Sequence, residues 1–286
     1  MRPSACDQTW QALHGVQKGN FSTNASHEEL QKKHEVAIGH NVNQSTAIII
    51  IIIIIIAKSI SESIPPRQIK QWNSVIEQLP GYIFNFTRKA VQSQLPTCLN
   101  LFRWNRATSN LCSKCGRIQS NKHVLSNCSA PEALARYTAR HNNILTLLIE
   151  WIRPKLNQSV EIYCDLQLAG TCHVSELFNN FKPDLALKSL NKVGLLEITV
   201  CHKTNLRASR DYKLNKYSNI AHDRAVFIKD AKISLSTCET TTLGFVVIEP
   251  KYLSDWNLPP LDNNIMSAIT KSAVMSSFYI YSKRNV

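Results

Sequence analysis

Apolar residues recur at helical spacing between Pro65 and Arg88, at Ile69, Trp72, Val75, Ile76 and Leu79, which predicts an amphipathic helix. Pro80-Gly81 breaks that pattern, and a second amphipathic stretch runs from Ile83 to Leu95. Pro131 opens a longer helical pattern that reaches Trp151 or Ile152 before Pro154, with Tyr137, His141, Ile144, Leu145 and Leu148 on one face. The period then shortens. Val160 to Leu166 alternates, Phe181 to Leu187 and Val193 to Cys201 read as strands, and Asn191-Lys192 is a candidate hairpin turn between the last two. A basic helix is expected from about Asn205 to Asp230, and Leu243 to Ile248 reads as a buried strand. The order is helix, three strands, helix, strand, an α/β core.

Residues 1 to 64 do not fit that pattern. They are rich in Asn, Ser, Gln and His and contain nine consecutive isoleucines, Ile48 to Ile56. With Ala47 and Ala57 the apolar run is well short of the ~20 residues that span a bilayer, so a membrane helix is not expected. An isoleucine tract without gatekeeping charge is an aggregation hazard, and the segment is read as low-complexity and disordered.

A chain of 286 residues can hold two domains, and 33 Lys and Arg against 20 Asp and Glu give a formal charge of +13. That excess favours polyanions such as DNA or RNA; the plain alternative is a basic protein with no such partner. Met1 to His14 lacks the apolar core of a signal peptide, and the cysteines suit metal ligation better than a disulfide framework. The expectation is a nuclear or cytoplasmic protein, not a secreted one.

Cys112, Cys115, His123 and Cys128 fall inside seventeen residues. A Cys-x2-Cys pair gives two ligands from one tight turn, and Gly116 permits that turn. His123 and Cys128 fill the remaining positions, which predicts structural zinc rather than a catalytic ion with an open position. Lys114, Arg117 and Lys122 surround the ligands and would face nucleic acid. Just upstream, Arg103, Trp104 and Arg106 suit phosphate contact plus base stacking, although Trp104 could equally pack against the knuckle.

Downstream, antiparallel strands would bring Asp184 and Glu197 together near a sheet edge, where they could share a divalent ion, Mg or Mn. The ordinary alternative is a surface pair of acids. Arg210, Lys213 and Tyr217 fall on one face of the basic helix, with Lys216 close to Lys213; a lysine there could stabilise charge on a phosphate or be a solvated cation. His141, within Arg140-His141-Asn142, reads by itself as a satisfied core histidine.

Taken in order, the Cys-Cys-His-Cys knuckle, Arg140-His141-Asn142, Lys182-Pro183-Asp184, Glu197 and Tyr212-Lys213-x-x-Lys216-Tyr217 resemble the C-terminal region of non-long-terminal-repeat retrotransposon polyproteins of the reverse transcriptase family. Leu95-Pro96-Thr97 and Arg103-Trp104 resemble that family's lead-in to its knuckle. The resemblance covers about Leu95 to Pro250. It implies a restriction-endonuclease-like PD-(D/E)xK core over 131–286 and a CCHC zinc knuckle over 95–130, preceded by the helical linker that the hydrophobic pattern predicts over 65–94. It also implies a hydrolase that nicks target DNA, with element RNA as a further partner and no membrane partner; it leaves the oligomeric state open. By the same resemblance Asp184 and Glu197 bind the metal, Lys213 is the catalytic lysine, and Lys216, Tyr217 and His141 support the site, while Arg140 and Arg210 contact the strand. The usual lysine position two residues after the second acid is Thr199, so the lysine must come from the following helix. No paired-Asp polymerase motif is present, which suggests a truncated copy; a remnant that binds nucleic acid without cutting is the other expectation.

Overall fold

A computed structural model describes residues 66–285 except 224, 226 and 227. The low-complexity stretch 1–64 with its isoleucine tract lies outside them.

The described residues form a mixed α/β fold around one six-stranded sheet. Its strands are β1 (Glu161–Cys164), β2 (Cys172–His173), β3 (Leu185–Lys188), β4 (Lys192–Cys201), β5 (Lys232–Thr241) and β6 (Val246–Ile248). They lie in the order β2-β1-β3-β4-β5-β6. β1–β3, β3–β4 and β5–β6 are antiparallel; β1–β2 and β4–β5 are parallel. The helices are α1 (Pro66–Glu77), α2 (Gly81–Val91), α3 (Cys98–Arg103), α4 (Pro131–Ile152), α5 (Leu206–Lys216), α6 (Pro250–Asp255) and α7 (Asn263–Ser282).

Alternation along the strands divides the core. Leu185, Leu187, Leu196 and Ile198 pack with Ile144, Leu148 and Ile149 of α4 and with Ile265 and Ile269 of α7. Ala186, Val193 and Leu195 turn to the opposite face, against Tyr217, Ile220 and Phe178. Both faces of β4 are therefore covered, which explains its nearly continuous apolar run. Gly194 is required on the first face: a Cβ there would run into the Trp256 indole. Arg140 also belongs to the interior. Its side chain is 1 % exposed and donates to Ser277 Oγ at 2.9 Å, and Ser277 in turn donates to the Thr242 carbonyl.

Several boundaries differ from the sequence expectation. The expected helix 205–230 ends at Lys216, because Tyr217 caps it and turns inward to lie 1 % exposed. The following residues supply β5, a strand the hydrophobic pattern does not predict, since it reads Lys-Ile-Ser-Leu-Ser-Thr-Cys-Glu-Thr-Thr. The strand expected over 243–248 is confined to Val246–Ile248; Gly244, at φ +87, forms the turn before it. The helices between 65 and 94 are docked rather than free. Trp72 donates to the Leu243 carbonyl at 2.6 Å and stacks on Phe245, and Gln68 donates to the Val246 carbonyl at 2.6 Å. Phe86 packs edge-on against Phe278 of α7.

Candidate metal cluster and carboxylate site

The cysteine cluster is built on a tight hairpin. Cys112 N–H donates to the Arg117 carbonyl at 2.7 Å, Gly116 N–H returns to the Cys112 carbonyl at 2.9 Å, and Leu111 bridges Ile118. Gly116 has φ +73, the left-handed conformation its position predicts. One π-helical turn, His123–Asn127, then brings His123 and Cys128 across. The four ligand atoms lie within 4.8 Å of one another. Cys112 Sγ is 4.0 Å from Cys128 Sγ, Cys128 Sγ is 3.8 Å from Cys115 Sγ, and Cys115 Sγ is 3.4 Å from His123 Nε2. A tetrahedron with Zn–S bonds of about 2.3 Å has S···S edges of about 3.8 Å, so the cluster could hold a metal such as zinc. The sulfurs are too far apart for disulfides, and all are free thiols. The Arg117 backbone N–H pulls the Cys115 thiol down to about 7, which favours the thiolate; burial pushes Cys128 up to about 11.

Tyr137 braces this hairpin from α4. Its hydroxyl lies 2.8 Å from the Val124 carbonyl and 3.1 Å from that of His123, and accepts from Cys128 N–H at 3.2 Å. Helical phase alone placed Tyr137 on the apolar face and gave no hint of this contact.

The carboxylates meet through strand register. Leu185 pairs with Leu196, so Asp184 and Glu197 come next at the end of the β3–β4 ladder. Asp184 N–H donates to Glu197 Oε1 at 3.1 Å, and Ile198 N–H donates to Asp184 Oδ2 at 2.7 Å. The pair therefore lies in the middle of the sheet rather than at its edge, Asp184 just before β3 and Glu197 within β4, since β1 and β2 continue beyond β3 and β5 and β6 beyond β4.

Lys213 reaches the pair from α5, with Nζ 2.5 Å from Glu197 Oε2 and 3.6 Å from Asp184 Oδ2. His141 closes the other side, Nε2 to Asp184 Oδ2 at 3.3 Å, with Nδ1 3.2 Å from Asn142 Oδ1. It is thus turned to the acid and is not an isolated core histidine. Glu197 is fully buried; burial, then the Asp184 charge, lifts its pKa despite Lys213. Burial opposes the ionised form of Asp184, but His141, Lys213 and the Ile198 N–H outweigh it, and its pKa falls. Burial likewise works against the charged forms of His141 and Lys213, but the carboxylates prevail and both are raised.

Two residues fix the loop that presents Asp184. Tyr217 donates to the Lys182 carbonyl at 2.9 Å and packs against Phe181. Asp223 accepts from Asn180 N–H and Phe181 N–H, both at 2.8 Å, and from the Asn180 side chain at 2.6 Å. Asp223 carries no motif or spacing that would reveal it; it joins the loop only through folding.

The remaining candidates separate. Arg103, Trp104, Arg106, Lys114 and Arg117 are exposed, Trp104 at 43 %, so the indole is not packed into the knuckle. Lys122 is half-buried. Lys216 is exposed and lies over the Tyr217 ring, its Nζ 3.1 Å from the phenol oxygen. Arg210 faces Glu249 at 3.7 Å, away from the carboxylates. Arg140 cannot touch a strand: the helix phase that turns His141 toward Asp184 points its neighbour into the core.

The chain matches no family model and no curated protein. Among the described residues, no helix is long and apolar enough to cross a membrane.

Proposed function

We propose that this protein is a metal-dependent DNA endonuclease of the restriction-like PD-(D/E)xK class, joined to a zinc knuckle, as in the C-terminal region of non-long-terminal-repeat retrotransposon polyproteins. One observation carries the reading. Asp184 and Glu197 converge from paired strands, and Lys213 arrives from the next helix to the place that Thr199 leaves without a lysine.

The two donor sets suit different ions. Thiolates and imidazole are soft ligands for Zn, whereas paired carboxylates are hard ligands for Mg or Mn. Asp184 and Glu197 would hold the divalent ion, which supplies Lewis-acid polarisation of a phosphate and a lowered pKa for water. Lys213 places a positive charge where phosphorane charge grows during in-line attack on the phosphodiester. His141 orients Asp184 through its hydrogen bond, and Tyr217 positions the same acid by holding the Lys182 carbonyl. The exposed cations and Trp104 around the knuckle supply phosphate contact and stacking, and serve DNA or element RNA alike.

A second reading, binding without cutting, draws on one observation: His141 and Lys213 already neutralise both carboxylates. Supercoiled-plasmid nicking by the full chain in Mg²⁺ or Mn²⁺ separates the two. Nicking is expected, and Asp184→Ala should reduce it on the order of a hundredfold or more, since even outer-shell changes at metal sites cost 10–100-fold. A chain that binds the plasmid without nicking it under either ion overturns the nuclease reading and leaves the binding module.

A further inference from the structure

A cationic cluster lies where the knuckle meets the sheet, apart from the carboxylates. β4 carries Glu197 and continues to Cys201, after which His202 and Lys203 lead into α5. The π-helical turn that follows Lys122 packs against this end of β4. α2 ends here too, because Lys203 Nζ donates to the Val91 carbonyl at 3.2 Å. Ala90, Leu125, His202, Lys203 and the Leu243–Phe245 turn line a small cleft between these elements.

The charges that act on His202 here are cationic, with buried Glu239 of β5 acting on the neighbouring Cys201. Burial, then the charges of Lys203 and Lys122, hold the His202 pKa down to about 4, so the imidazole is neutral. Among the described residues neither lysine forms a salt bridge with a carboxylate. Lys203 is half-buried, so its like-charged neighbour and partial desolvation both disfavour the bare site and favour an anion that enters it. From Glu197 to Cys201 the strand advances about 13 Å at about 3.3 Å per residue.

We infer that Lys122 and Lys203 form a phosphodiester-backbone grip on the same DNA whose scissile phosphate is held at Asp184 and Glu197. The inference rests on the nucleic-acid reading above and adds to it a second contact apart from the carboxylates. The grip joins knuckle and nuclease core into one track, with Lys122 from the former and Lys203 from the latter. Phosphate contacts of this kind set register and affinity without reading sequence.

The test is binding of a short fluorescein-labelled duplex by the full zinc-loaded chain, without added magnesium, between about 50 and 200 mM salt. Lys122→Gln and Lys203→Gln should each lower the slope of log affinity against log salt by about 0.9, and the double variant by about twice that. Zinc content and thermal midpoint should hold, and Lys203→Arg should restore the slope. An unchanged slope in the double variant overturns the grip, as does a wild-type chain that does not bind the duplex. Lost affinity that tracks a fall in thermal midpoint and is not rescued by Lys203→Arg makes Lys203 a strut for α2, which also overturns it. Weakened binding to phosphatidylserine vesicles with an unchanged duplex isotherm would assign the cluster to a membrane surface instead. Because magnesium is absent, a chain that never nicks but shows the slope change keeps this inference and loses the nuclease. A chain that nicks with an unchanged slope does the reverse.

Discussion

The knuckle and the carboxylate site each gather four ionisable side chains, yet they are held by opposite means. Cys112, Cys115, His123 and Cys128 sit on one hairpin and one helical turn, braced from outside by Tyr137 and by packing of that turn against α7 and β4. Their small core is Cys112, Cys128 and Ala130, packed mainly against Tyr137 and Ala133. Asp184, Glu197, Lys213 and His141 come from the β3 lead-in, β4, α5 and α4, above a sheet covered on both faces. The lesson is about what each cluster depends on. The zinc proposed above would add its binding energy to that hairpin, because folding and metal binding are then one equilibrium. The carboxylate site is assembled by the hydrophobic core, and Lys213 with His141 balances its charge with no ion at all.

The largest effect should come from breaking the knuckle. Structural zinc is worth on the order of 10 kcal/mol in apparent binding free energy, so Cys128→Ser should abolish stoichiometric zinc and release residues 110–130 to hydrogen exchange. Amides of β4 should stay protected. Equal loss of protection in both regions would show that the two are not separately held.

Next in size is the cation over Glu197. Removing one partner of a buried pair leaves an uncompensated charge, so Lys213→Met should destabilise the fold by about 3 kcal/mol at neutral pH in urea titrations. Adding Glu197→Gln should recover much of that loss, and zinc content should not change in either variant. Failure of the second change to rescue the first would mean that Lys213 acts through packing rather than charge.

The smallest effect sharpens the same contrast through pH. The folded state raises the His141 pKa above 6.5, so the ion pair with Asp184 contributes fully below about pH 6.5 and is lost as pH rises through the raised value. Asp184, whose pKa is lowered, keeps its side of the pair until strongly acid pH. Urea unfolding of metal-free protein should therefore show wild type exceeding His141→Gln by about 1 kcal/mol near pH 6, with the gap closing in the alkaline range. A gap that stays constant with pH would reduce His141 to a packing residue.

The amino-acid sequence by itself determined what short-range chain geometry can encode. It set the ligand types and spacing of the knuckle, the Gly116 turn, the extent of α4 from Pro131, and the strand pair that brings Asp184 opposite Glu197. Each follows from the period of a local segment or the reach of a few bonds. Tertiary structure decided the rest. It placed β5 parallel to β4, buried Thr237 and Thr240 at a polar-looking strand, turned Arg140 inward to Ser277, and brought Asp223 to the loop before Asp184. These choices join residues tens of positions apart. What selects them is backbone pairing along the β4–β5 ladder and coverage of both sheet faces, which no local period records.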